Sequence, residues 1–221
     1  MSSRQEEKEQ RKRERLEREQ AEQQAAKRKR LVQIVGGVVV GAVIVIGVVL
    51  ALAGGGDDDD GGDPASLTAA AKAAGCVSRS FPDEGQNHVE KKLTVKDFRT
   101  NPPTSGDHNV TPAPDGVYAT GNEPEIQNWV HTLEHGRILF QYKPGTAKAR
   151  IAELEKLYNE EALGKPAYHS VLMQNNTDMP FAVAAVSWRH YVGCSEFTDK
   201  TIAALRAFRE ARVDKAPEQI P

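Results

Sequence analysis

The stretch Pro124–Lys143, PEIQNWVHTLEHGRILFQYK, decides how the larger part of this chain is built. Pro124 suits a first helical position and Gly136 the place just past a helix end, and between them Ile126, Val130 and Leu133 form one apolar line, so a helix is expected. Arg137–Lys143, RILFQYK, then reads as a strand and Pro144-Gly145 as a turn.

Working outward, Ala65–Ala74 is alanine-rich and closed by Gly75, which reads as a short helix, and Lys91–Phe98 alternates like a strand. Asn101–Gly116, NPPTSGDHNVTPAPDG, carries four prolines and two glycines and reads as a long loop. On the far side, Ile151, Leu154, Leu157 and Tyr158 give Thr146–Ala162 a helical period that ends near Gly164. Ala167–Gln174 and Phe181–Tyr191 are strand candidates with a hairpin-like connection, NNTDMP, between them. Thr198–Val213 is a last amphipathic helix on Ile202, Leu205 and Phe208, and Pro217–Pro221 reads as a frayed tail. Helices and strands mix irregularly. The expected class is therefore α+β, one compact domain over residues 65–221 with a mixed, partly antiparallel sheet and three to four helices.

Upstream the composition changes sharply. The whole chain of 221 residues is 39% hydrophobic and 27% charged with a formal net charge of -2. That composition excludes a collagen-like or uniformly disordered protein. Residues 1–30 nevertheless hold eleven Lys/Arg against seven Glu, a local +4, and the remainder carries -6. Residues 31–53, LVQIVGGVVVGAVIVIGVVLALA, are twenty-three without a charge. As a helix they would be about 34 Å long, enough to cross a hydrocarbon core of about 30 Å. Lys27, Arg28, Lys29 and Arg30 precede this run and Asp57–Asp60 and Asp63 follow it. The positive-inside bias then keeps the N-terminus in the cytoplasm and exports everything after Ala53. A single uncleaved transmembrane helix is expected; a cleaved signal peptide ending near Ala51-Leu52-Ala53 is the rival, disfavoured by the length of the apolar run.

Residues 1–30 read as a solvated cytoplasmic tail, since Leu16 is their only large apolar residue after Met1, and their basic end faces the lipid bilayer. Interleaved glutamates and the lack of aromatics argue against nucleic acid as a partner. Residues 54–64, GGGDDDDGGDP, read as a flexible spacer.

All six histidines and both cysteines fall in the outer domain. An even pair of cysteines in an exported domain most simply forms a disulfide, Cys76 with Cys194. The string His131-Thr132-Leu133-Glu134-His135-Gly136 places two imidazoles at i and i+4 on one helix face, a spacing that suits two ligands of one metal ion with Glu134 beside them. It is also the His-x-x-Glu-His order of inverted zinc peptidases, whose glutamate is a general base. Such an enzyme needs a third acidic ligand, for which Glu210 is the one tempting candidate. The plainer reading gives His135 to the helix end as a cap and His131 to the seam between helix and sheet.

His88, in Gly85-Gln86-Asn87-His88, and His108, in Ser105-Gly106-Asp107-His108, lie in turn-rich segments of the kind that deliver side chains to sites. His169 and His190 fall in strand candidates, where a partly buried, hydrogen-bonded histidine is the simpler reading. Met173 and Met179 are expected to pack, with soft Cu(I) ligation as the alternative.

The strings GQNHV (Gly85–Val89), NPPTSGDH (Asn101–His108), GVY (Gly116–Tyr118) and VHTLEHG (Val130–Gly136) resemble, in this order, the bacterial family catalogued as domain of unknown function 3105, typical of actinobacteria and often carrying one N-terminal membrane helix. The resemblance covers about residues 76–195. It implies that His88, His108, His131, Glu134 and His135 occupy motif positions and implies no catalytic role.

Three functions remain open on these residues. In the first, His88, His108, His131 and His135 gather copper or zinc, with Glu134 as ligand or orienter. In the second, the outer domain is a metal-free surface for a cell-envelope protein partner. In the third, a metal-dependent hydrolase uses Glu134 as base, with an open coordination position and a cleft. Whether the histidines meet in space separates them.

Overall fold

The alanine-rich segment forms helix α1, Pro64–Ala74, and Gly75 leads it into strand β1, Cys76–Ser80. The computed structural model describes residues 64–218 and 220; the tail (1–30), the predicted membrane helix (31–53) and the spacer up to residue 63 lie outside the described residues. An irregular stretch containing one 3-10 turn, Val95–Asp97, leads to the short β2, Gly116–Val117. Then come α2, Ile126–Glu134, and β3, Ile138–Tyr142, followed by α3, Lys148–Asn159. A small hairpin of β4, Glu161–Ala162, and β5, Lys165–Pro166, precedes β6, Ser170–Gln174. The chain closes with β7, Val183–Ser187, β8, His190–Cys194, and α4, Thr201–Arg212.

The main sheet runs β1-β8-β7-β3-β6-β2. β1 to β3 along this order pair antiparallel, whereas β3–β6 and β6–β2 are parallel. The domain is α+β with a mixed sheet and four α-helices among the described residues. None of those helices is long and apolar enough to cross a membrane.

Both faces of the sheet are covered, which is why β3 reads as an unbroken apolar run. Ile138, Phe140 and Tyr142 point to one face, where Leu67 of α1, Leu154 and Leu157 of α3, and Leu205 and Phe208 of α4 pack. Leu139 points to the other, against Trp129, Val130 and Leu133 of α2. Val130 and Leu133 are fully buried, each contributing about 1.5–3 kcal/mol over exposure. Met173 and Met179 belong to this second core, so both act as packing.

Four expectations need correction. Lys91–Phe98 is not a strand: the Asp97 carboxylate accepts from both the backbone N–H and the hydroxyl of Thr94, which winds the segment into one 3-10 turn. Phe181–Tyr191 is two strands, because Trp188-Arg189 makes a turn with Arg189 at φ +64. Tertiary bonds hold that turn: the Arg189 N–H donates to Thr104 O at 2.8 Å and the Trp188 indole to Asp83 at 2.9 Å. NNTDMP is no hairpin, since β6 and β7 flank β3 and the segment crosses its end. Helix α2 starts at Ile126, two residues after Pro124.

Cys76 and Cys194 face one another in the β1–β8 register and form a disulfide.

Candidate metal centre

Helix α2 buries Trp129, Val130 and Leu133 on the sheet and turns His131, Glu134 and His135 toward the loops. His131 and Glu134 are three apart and His131 and His135 four apart, so all share one side of the last turn. His135 is the C-cap and Gly136, at φ +81, takes the left-handed conformation that ends the helix.

The proline-rich loop is bound along this helix. Asn109 N–H donates to Gln127 O at 3.0 Å, Ala113 N–H to Asn128 O at 3.1 Å, and Thr132 Oγ1 to Ala113 O at 2.8 Å. The segment bearing His88 joins it through a parallel bridge, with Val89 N–H donating to His108 O at 2.7 Å and His108 N–H to Asn87 O at 3.0 Å. Two loops far apart in sequence thus deliver their imidazoles to the end of α2.

The ring centroids of His88, His108 and His131 lie 4.7–4.9 Å apart, and those of His131 and His135 4.4 Å. One ligand atom from each of His88, His108, His131 and Glu134 falls within 4.8 Å of the others. Four ligands bonded tetrahedrally at about 2.1 Å stand about 3.4 Å apart, so closing this set on an ion draws its widest pair in by up to about 1.4 Å from 4.8 Å. His108, His131 and Glu134 are buried, and His88 is exposed.

Hydrogen bonding decides which nitrogens are free. A carbonyl can only accept, so His108 Nδ1 donates to Gly106 O at 2.8 Å and His131 Nδ1 donates to Asn109 O at 2.6 Å. In the neutral rings Nε2 then carries the lone pair, the orientation that backbone carbonyls impose on metal-binding histidines. His108 Nε2 lies 2.9 Å from Glu134 Oε2, close enough for an ion pair but without the alignment of a hydrogen bond. A lone pair and a carboxylate oxygen facing each other away from water call for a cation or a proton between them.

The electrostatics agree. Burial pushes the Glu134 carboxyl up to about 7, with the charges of Glu218 and Asp83 adding to it. Burial pushes His108, His131 and His135 down, which keeps these rings neutral and ready to donate lone pairs.

Beside this set lies a second. His131, His135 and Glu218 also bring ligand atoms within 4.8 Å, and His135 Nε2 is 3.3 Å from Glu218 Oε2. The C-terminal segment, expected to fray, is docked: Asp214 N–H donates to Gly136 O at 2.9 Å, Glu218 N–H to Glu134 O at 3.1 Å, and Arg137 Nη1 to Ile220 O at 2.6 Å. Glu218 had no local signal, being one glutamate in a short polar stretch after Pro217.

The remaining candidates lie elsewhere. His169 Nδ1 meets Asp214 Oδ1 at 2.6 Å and stacks on Tyr168. His190 Nδ1 is 2.8 Å from Ser80 Oγ, and burial pushes its imidazole down to about 4. Glu210, the candidate third acidic ligand, is exposed on α4, whose apolar side packs on the opposite face of the sheet. A surface cavity of about 370 Å³ between Leu93, Glu123, Ile126 and Asp178 opens at the other end of α2 and includes no histidine.

Residues 88–220, more than half of the chain, match the model of a family described as "Protein of unknown function (DUF3105)". The matched range contains every member of both ligand sets. Searches of curated proteins and of solved structures return no match.

Proposed function

Since the chain belongs to the DUF3105 family, a family without an assigned activity, we propose its function from the chemistry of its site: it binds one divalent transition-metal ion, zinc or copper, through His88, His108, His131 and Glu134. The observation that carries this is the buried His108 Nε2, which has no hydrogen-bond partner and faces the buried Glu134 Oε2 at 2.9 Å. Imidazole with carboxylate suits Zn²⁺ and Cu²⁺. Thiolate is not offered, because Cys76 and Cys194 are joined, nor thioether, because Met173 and Met179 are in the core, so Cu(I) is the poorer match.

Glu134 near pKa 7 also suits a general base, the hydrolase reading. Two features favour holding an ion over hydrolysis. Glu134 already stands at a ligand position, and burial of His108, His131 and Glu134 leaves little room for a substrate beside the ion. The metal-free interaction reading, with the proline-rich loop and the helix C-terminus as partner surface, is the less favoured, since it expects histidines spread out in space and here they converge.

The uncharged run 31–53, with basic residues before it and aspartates after it, supports a single span of the lipid bilayer that leaves this domain on the outer side. A disulfide suits that oxidising compartment. On this reading the domain holds its ion on the outer side of the membrane.

The test is metal content and affinity of the purified chain. Zinc or copper is expected to bind at one ion per chain and to raise the melting temperature, and both effects are expected to weaken in His131→Ala. A chain that gains no stability from either metal and is indifferent to chelator refutes the reading.

A further inference from the structure

Two ligand sets meet at His131, one with His88, His108 and Glu134 and one with His135 and Glu218. The shared imidazole has a single nitrogen to give, because its Nδ1 is spent on the Asn109 carbonyl at 2.6 Å. Two ions cannot hold that one lone pair together. His135 adds an independent sign of a ligand: its Nε2 is buried without a hydrogen-bond partner, on a side chain only 10% exposed, and faces the Glu218 carboxylate. The Glu218 side chain is 44% exposed, so this second set reaches from the interior to solvent.

We infer that a single divalent ion exchanges between an inner position, held by His88, His108, His131 and Glu134, and an outer position, held by His131, His135 and Glu218, and that the Glu218 carboxylate is the ligand through which the ion enters and leaves. The inference rests on the metal-binding reading above. In the exchange His131 Nε2 keeps its bond. The bonds from His88, His108 and Glu134 break as those from His135 Nε2 and Glu218 form, with water completing the outer shell; the ion stays divalent and no electron moves.

The fold places the outer ligand for this task. The Glu218 N–H donates to Glu134 O and Asp214 N–H to Gly136 O, so the C-terminal segment is tethered to the same helix end that carries the inner ligands. An ion leaving directly past the exposed His88 would lose its bonds to the buried His108 and Glu134 before gaining others. The outer set supplies replacements first, which lowers the barrier to release. His88 is also exposed, yet it belongs to the inner set and brings no further ligands with it.

The test uses the full chain in detergent, loaded with Co²⁺ or Zn²⁺ and mixed rapidly with EDTA. One ion per chain is expected for the parent protein. Glu218→Gln, which keeps the shape and removes the charge, is expected to slow release about tenfold, whereas His108→Gln, which removes an inner ligand, is expected to speed it at least about tenfold. A merely structural role for Glu218 would loosen the site and speed release, so the sign of the change separates the two. Unchanged or faster release from Glu218→Gln overturns the inference while leaving metal binding intact, and so does saturation at two ions per chain. A parent protein that takes up neither metal overturns the reading on which it rests.

Discussion

A Cβ on Gly136 would lie 2.8 Å from the Asp214 Cα, so the residue that ends α2 and the turn that follows α4 touch backbone to backbone. Asp214 itself sits at φ +60, gripped by His169 at 2.6 Å and by the Tyr168 hydroxyl at 3.1 Å. This contact steers the last residues back across the histidines and brings Glu218 to His135.

Gly136→Ala should therefore act twice, through the left-handed φ of +81 and through a clash with backbone that has no side chain to move aside. A loss of about 1–3 kcal/mol is expected. The melting temperature should fall by about 2–4 °C for each kcal/mol in a domain of this size, and the Glu218 amide should exchange faster with deuterium. An unchanged melt and an unchanged exchange rate would remove the backbone contact from the account.

His131→Ala should weaken metal binding about tenfold more than His88→Ala, because His131 is buried and common to both sets while His88 is exposed. Competition titration against a chelator measures both. Equal losses would mean that the four residues do not act as the geometry orders them.

Glu134 sets a pH dependence for the metal-free protein. Its carboxyl titrates near 7 when folded against 4.5 ordinarily, so the folded state holds a proton that the unfolded chain releases between those values. The resulting stability is complete below pH 4.5 and is lost as pH rises through 7. In chelator, Glu134→Gln should thus be more stable than the parent at pH 8 by about 1–3 kcal/mol, with little difference at pH 5. Denaturant unfolding at the two pH values checks it. Added zinc should reverse the order at pH 8, since the metal then compensates the charge that the glutamine lacks.

Replacing Cys76 and Cys194 by serine removes a cross-link of sequence separation 118, worth about 4–5 kcal/mol in the chain-entropy model. The edge strand β1, exposed along most of its length, should loosen first together with α1. Metal affinity should change less than about twofold, because neither cysteine belongs to the ligand sets. A large loss of affinity would tie the site to the far edge of the sheet.

Deleting residues 31–53 should release the chain from membranes into the soluble fraction without detergent, and protease added outside intact cells should reach the domain only in the parent protein. Release of the parent by alkaline carbonate would rule out a spanning helix.

What was legible in the residues was local. Helix α2, its glycine stop and strand β3 follow from apolar spacing and punctuation within about twenty residues, and the face shared by His131, Glu134 and His135 follows from the pitch of one helix. Lys91–Phe98 misled because alternation cannot register a single carboxylate capping its own turn through Thr94. Phe181–Tyr191 misled because Trp188-Arg189 carries no turn residue; its bend is held by Thr104 and Asp83, far away in the chain.

The sequence by itself determined that the chain falls into a charged tail, an uncharged run and an α+β domain, and that histidines accompany one helix end and two turn-rich loops, because composition and periodicity act between neighbours. Only the tertiary structure decided that His88 and His108 meet that helix end, that backbone carbonyls leave the Nε2 atoms of His108 and His131 free, and that Glu218 returns to join His135. Those facts depend on bonds such as Val89 N–H to His108 O and Asp214 N–H to Gly136 O, which connect residues whose separation along the chain says nothing about their distance in space.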